Sequence, residues 1–152
     1  MVDVLLKYHV EFVIVGAYAA IFHGNPRLTE DIDFLVRPTP ENTRRLRSAL
    51  QEFGSPVNVE RECLDPDEVI QIGLKPVRVD ILASVSGVST ETIWARRTAG
   101  KFEGRDVSYI PLDLLIENKL AAGRSKDLLD VESLRRVQAR GQGSTKEARK
   151  GD

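Results

Sequence analysis

The chain has 152 residues, with 22 Lys and Arg against 23 Asp and Glu, and a formal net charge of −1. That length suits one domain with a real hydrophobic core. So even a balance gives no global electrostatic argument for nucleic acid or membrane, although a local basic patch remains open. The single cysteine, Cys63, excludes an internal disulfide and a multi-cysteine metal site, and it fits a reducing compartment. Met1–Lys7 lacks the long apolar core of a signal peptide, and charges or prolines break every apolar run, so a cytoplasmic protein with no membrane partner is expected.

Residues 2–8 predict a short helix, and Val10–Val15 predicts the first strand, closed by Gly16. Ala17–His23 favours a helix until Gly24 and Pro26 stop it. Asp31–Val36 is the second strand. Thr39 and Pro40 look like the cap and first position of a helix whose Leu46, Leu50 and Phe53 would face the core, with Arg44, Arg45 and Arg47 on its polar side.

Residues 54–68 predict a polar loop with a short helix near Pro66–Glu68. Val69–Gly73 and Pro76–Leu82 then form an antiparallel hairpin linked through Leu74-Lys75. After a loop of small residues, Ser84–Ser89, a short helix is expected near Glu91–Arg96 and an edge strand at Asp106–Ile110. Pro111 starts a helix with Leu112, Leu115, Ile116 and Leu120 on one buried face, ending at Gly123. Ser125 caps a last helix with Leu128, Leu129, Val131, Leu134 and Val137 as its apolar side. Residues 1–140 thus read as a single domain, and residues 141–152, rich in Gly, Ser, Lys and Glu, as a flexible tail.

The chemistry concentrates in Gly16-Ala17 and in Asp31-Ile32-Asp33. Strand side chains alternate, so Asp31 and Asp33 face one way while Ile32, Phe34 and Val36 point into the core. Two adjacent acids repel each other and seldom serve packing; a hard cation such as Mg²⁺ is their common use. Asp80, on the strand Pro76–Leu82, is a third candidate, sharing its face with Arg78. Gly16 has two readings: a strand-to-helix turn where a side chain would clash, or the start of a helix whose N–H groups cradle a phosphate. Ala17 offers only its backbone there.

These blocks, Val15-Gly16-Ala17, Asp31-Ile32-Asp33 and Val79-Asp80-Ile81, resemble the DNA polymerase beta-like nucleotidyltransferase superfamily. The fuller pattern Arg27-x-Thr29-x-Asp31-Ile32-Asp33 looks like the small nucleotidyltransferases of abortive-infection and toxin–antitoxin systems. Lys119 in Glu117–Ala122 and the stretch Arg124-Ser-Lys126-Asp127-x-x-Asp130 extend that likeness. One departure stands out: Ala17 occupies a position where such enzymes more usually carry Ser or Gly.

The resemblance implies an α+β, two-layer nucleotidyltransferase fold: a small mixed β-sheet with helices packed on one side and terminal helices at the edge. It implies transfer of a nucleoside monophosphate from an NTP, ATP among them, to a hydroxyl or phosphate on protein, tRNA or a small molecule. Mg²⁺ or Mn²⁺ would be held by Asp31, Asp33 and Asp80, the catalytic carboxylates. Gly16, Ala17, Arg27, Thr29, Lys119 and Lys126 would bind nucleotide. Arg27 either grips phosphate or pairs with Glu30 or Asp31 at the rim; Lys119 either contacts phosphate or base or is solvent exposed. Arg124, Asp127 and Asp130 form a polar network at the edge of the site. Two other readings stay open: a toxin–antitoxin component acting mainly through a partner protein, and a non-catalytic nucleotide- or RNA-binding relative.

Overall fold

The computed structural model describes residues 1–74 and 76–150. In chain order the elements are α1 (Val2–Lys7), β1 (Phe12–Val15), α2 (Gly16–Phe22), β2 (Asp31–Val36), α3 (Pro40–Phe53), β3 (Val69–Ile72) and β4 (Arg78–Leu82). α4 (Thr90–Arg96), β5 (Thr98–Phe102), β6 (Arg105–Tyr109), α5 (Leu112–Ala122) and α6 (Ser125–Lys150) follow. The strands make one mixed sheet in the order β3-β4-β2-β1-β6-β5. The chain is α+β, as expected. All four residues of β1 are buried. α2 and α4 both pack against this central strand.

The register positions the site. β1 and β2 are antiparallel with Val15 opposite Asp33, and β2 and β4 are parallel with Asp33 opposite Asp80. β3 closes against β4 as the expected antiparallel hairpin, with Gln71 opposite Asp80. Paired residues on adjacent strands share a face. Val15, Asp33, Asp80 and Gln71 therefore form one row across four strands. Parallel strands need a long crossover, which α3 and the 54–68 segment supply between β2 and β4.

α3 forms where the sequence predicts. Thr39 accepts a bond from the Asn42 N–H at 3.2 Å, and Gly54 ends the helix in a left-handed conformation. Asn42 is buried because its amide accepts from the Glu11 N–H at 2.7 Å and donates to the Glu11 and Arg37 carbonyls at 2.9 and 2.8 Å. That stitches α3 to both central strands. The core is built from residues such as Leu46 and Leu50 of α3 and Phe12 and Phe34, whose rings meet edge to face at 5.4 Å.

Several expectations need correction. Phe53 is exposed, since it falls in the last turn where Gly54 redirects the chain. A turn, not a helix, occupies Pro66-Asp67. The strand at Arg105–Tyr109 is not an edge: it pairs with β1 on one side and with the unexpected strand β5 on the other. Leu120, Leu128 and Leu129 are exposed because Lys119, Asp127 and Asp130 take the inward positions on α5 and α6. The last helix, expected to end near residue 140, runs to Lys150. Lys75 of the hairpin link and Gly151 and Asp152 of the expected tail lie outside the described residues. No helix among the described residues is long and apolar enough to cross a membrane.

Candidate active site

Where β1 meets α2, Gly16 adopts φ +67°, and a Cβ placed there would lie 2.2 Å from Asp33 Oδ2. A side chain at position 16 would therefore be strained by its backbone and would collide with the carboxylate. The turn is thus one where a side chain would clash, as the first reading of Gly16 has it, and the group it would meet is Asp33. No side chain caps the start of α2.

Asp31, Asp33 and Asp80 open onto one groove of about 600 Å³. Gly16, Ala17, Arg27, Thr29, Lys119 and Lys126 line it as well, so all nine residues singled out from the sequence meet there. Arg78, assigned no role from the sequence, sits among the acids. Its Nη2 is 3.1 Å from Asp31 Oδ2 and 3.3 Å from Asp80 Oδ2. The other oxygens, Asp31 Oδ1 and Asp80 Oδ1, are buried without a hydrogen-bond partner, as is Arg78 Nε. Burial pushes the Asp33 carboxyl up to about 6, reinforced by the negative charges of Asp80 and Asp31 and tempered by Arg78 and Lys126. Strand alternation could have flagged Arg78, which shares a face with Asp80 two residues on.

The three acids do not form a ready-made cation cage: among the described residues no three His, Cys, Asp or Glu side chains are gathered that way. Arg78 supplies the positive charge that Asp31 and Asp80 share. Even so, the donor set suits a hard cation, being all oxygen, anionic and left with two unsatisfied buried atoms.

At the rim, Thr29 Oγ1 accepts from the Asp31 N–H at 3.3 Å and donates to the Asp31 carbonyl at 3.1 Å, fixing the turn into β2. Arg27 pairs with Asp130, not with Glu30 or Asp31. Lys119, expected on the polar side of its helix, is buried; its Nζ lies 2.8 Å from Asp130 and 3.3 Å from Asp127. Arg124 Nε bonds Asp127 at 2.6 Å and Asn25 bonds Asp130 at 3.2 Å. The expected network of Arg124, Asp127 and Asp130 thus exists, with Lys119 as its hub and with Arg27 and Asn25 added. Burial pushes the Asp127 carboxyl upward, but its hydrogen bond to Arg124 and the charge of Lys119 outweigh that and hold it below the usual carboxylate range. Among the described residues Lys126 makes no ion pair, and it stays exposed on the groove wall.

Solved structures of similar shape share little sequence with this chain. The lincosamide antibiotic adenylyltransferase LnuA, solved with lincomycin bound, superposes with a TM-score of 0.59 at 13% identity, over 90% of this chain and 92% of its own. A protein from Thermotoga maritima assigned as a nucleotidyltransferase (TM1012) gives 0.58 at 17% identity, over 91% and 88%. The antibiotic-resistance enzyme ANT(2'')-Ia, in complex with adenylyl-2''-tobramycin, gives 0.55 at 16% identity, over 95% and 94%. At such identities these likenesses show the fold. A search of curated proteins finds no match. The sequence model described as "Nucleotidyl transferase AbiEii toxin, Type IV TA system" matches residues 2–122, which carry β1, β2, β4 and all three groove carboxylates, and the chain therefore belongs to that family of nucleotidyltransferases.

Proposed function

We propose that the protein moves a nucleoside monophosphate from an NTP to a hydroxyl or phosphate acceptor, with the help of Mg²⁺ or Mn²⁺. One observation carries this reading: three carboxylates from two parallel strands face one groove, with two buried oxygens left unsatisfied. Asp31, Asp33 and Asp80 would hold the metal, which when bound offsets phosphate charge and eases deprotonation of an attacking hydroxyl. Asp80 would take that proton. Lys126, an exposed cation of the groove, and the uncapped N–H groups at Gly16 and Ala17 would steady the polyphosphate. Arg27 and Lys119 act one step back, holding α5, α6 and the 25–30 loop as one wall. Membership of a toxin family favours a host-cell component as acceptor, whether tRNA, protein or small molecule.

The test is incubation with each α-labelled NTP and Mg²⁺ or Mn²⁺ against separate pools of tRNA, protein and small metabolites. Label moving into one pool supports the reading and names the acceptor class. No transfer to any pool, with NTP bound, would return the protein to a binding role.

A further inference from the structure

Asp33 and Asp80 stand on a wall shared by two hollows. The groove described above holds the cations Arg27, Arg78 and Lys126 on its own side. The second hollow, about 520 Å³, lies beyond the same wall towards the β3 edge. Both share Asp33, Asp80, Lys119, Arg124 and Asp127. The residues that belong to the second hollow alone are uncharged, among them Val69, Gln71, Leu82, Ser84, Ser86 and Asn118. The two cations it shares, Lys119 and Arg124, are both engaged with Asp127.

The second hollow is firmly built. Asn118 Nδ2 donates to the Ser86 carbonyl at 2.9 Å, and Ser84 Oγ donates to the Pro66 carbonyl. Gly87 lies so close to α5 that a Cβ there would sit 2.5 Å from that of Ala121. Gln71 is the exception to this order. It stands beside Asp80 in the same row of the sheet, exposed, and its side-chain amide makes no hydrogen bond among the described residues.

In-line transfer puts the attacking and leaving oxygens on opposite sides of the α-phosphorus. With pyrophosphate leaving towards the cationic groove, the attacking group must come from beyond the carboxylate wall. Resting on the nucleotidyltransferase reading, we propose that the second hollow is the acceptor subsite and takes an uncharged, hydroxyl-bearing group of nucleoside or sugar size, with Gln71 turning its hydroxyl towards Asp80. A phosphate acceptor would meet two carboxylates there and no uncommitted cation. In the step, the acceptor oxygen bonds to the α-phosphorus, the bond from that phosphorus to the bridging oxygen breaks, and the electron pair leaves with pyrophosphate. The hydroxyl proton passes to the Asp80 carboxylate.

Calorimetry on the full chain tests this. The protein is first saturated with Mg²⁺ and an α,β-methylene ribonucleoside triphosphate, each of the four in turn, then titrated with the four free ribonucleosides and with their 3′-monophosphates. Saturable binding of a neutral nucleoside is expected. Gln71→Ala should weaken it about tenfold, the loss of roughly one hydrogen bond, and leave triphosphate affinity within about twofold. Ser86→Trp, filling the hollow, should abolish nucleoside binding and spare the triphosphate. Tighter binding of the monophosphates than of the nucleosides, loss of triphosphate affinity in Ser86→Trp, or no nucleoside binding at all would each overturn the proposal. Failure of the wild-type chain to bind any triphosphate with Mg²⁺ would overturn the nucleotidyltransferase reading itself, and this one with it.

Discussion

Two clusters of acid and base lie side by side in this molecule and are built on opposite terms. Around Lys119, each carboxylate has cations: Asp130 has Lys119 and Arg27, and Asp127 has Lys119 and Arg124. Around Asp33, Asp31 and Asp80 share the one cation Arg78 and leave two buried oxygens unmatched. Buried charge that is fully paired holds structure together. Buried charge left short of partners raises the energy of the free protein and leaves affinity for something else. On the proposed function, the first cluster is scaffold and the second is the site.

Removing one member from each cluster should give opposite signs. Lys119→Met leaves Asp127 and Asp130 buried without their central cation, and a loss of about 3 kcal/mol or more in urea unfolding is expected. An unchanged midpoint would break the contrast. Asp33→Asn removes one charge from the crowded site, so stability should hold or rise slightly while transfer falls at least about 100-fold. A destabilised variant whose folded fraction keeps full activity would show that Asp33 is structural.

The pH response separates them further. Burial holds Asp33 at about 6, above its ordinary 3.8, so between those values the folded state binds more protons than the unfolded one. Its contribution is fully present below about pH 4 and fades as pH climbs through about 6, on the order of 3 kcal/mol. Asp127 is lowered from 3.8, so its contribution is present above that value and is lost as acid is added. Metal-free unfolding curves in the wild type and in Asp33→Asn should therefore diverge between pH 4 and 7, and parallel curves would refute the assignment. The smallest expected effect is linkage: Mg²⁺ should tighten NTP binding, by about tenfold, and NTP should tighten Mg²⁺ binding by the same factor. Titrations in which each ignores the other would separate the nucleotide site from the carboxylates.

Much of this was legible in the chain. β2 begins and ends where alternation and Pro38 put it, and the order of the Gly16, Asp31–Asp33 and Asp80 blocks pointed to the groove. What stayed hidden depends on neighbours distant in sequence. β5 escaped notice because Gly100 weakens its strand signal, yet Gly100 is there because the Phe22 ring, stacked on Tyr109 at 3.9 Å, fills the space its side chain would need. Lys119 looked like a surface residue because its partners lie on α6, and the Leu128–Leu129 pair looked like core because the same inward face is taken by Asp127 and Asp130. Arg27 was tied to nearby acids, whereas the acid it meets lies 103 residues away. Local pattern marks strands and candidate chemistry; it cannot see which charges meet across the fold.

The parallel pairing of β2 with β4, and the bond from Arg27 to Asp130, also govern when the chain can act. Asp33 gains Asp80 only after the crossover has been made and β4 has joined the sheet. The wall behind them closes only when α6 arrives to receive Arg27 and Asn25. A chain still on the ribosome therefore carries its first two carboxylates long before it has a site. The groove is complete only when residues as far along the chain as Asp130 have joined the fold.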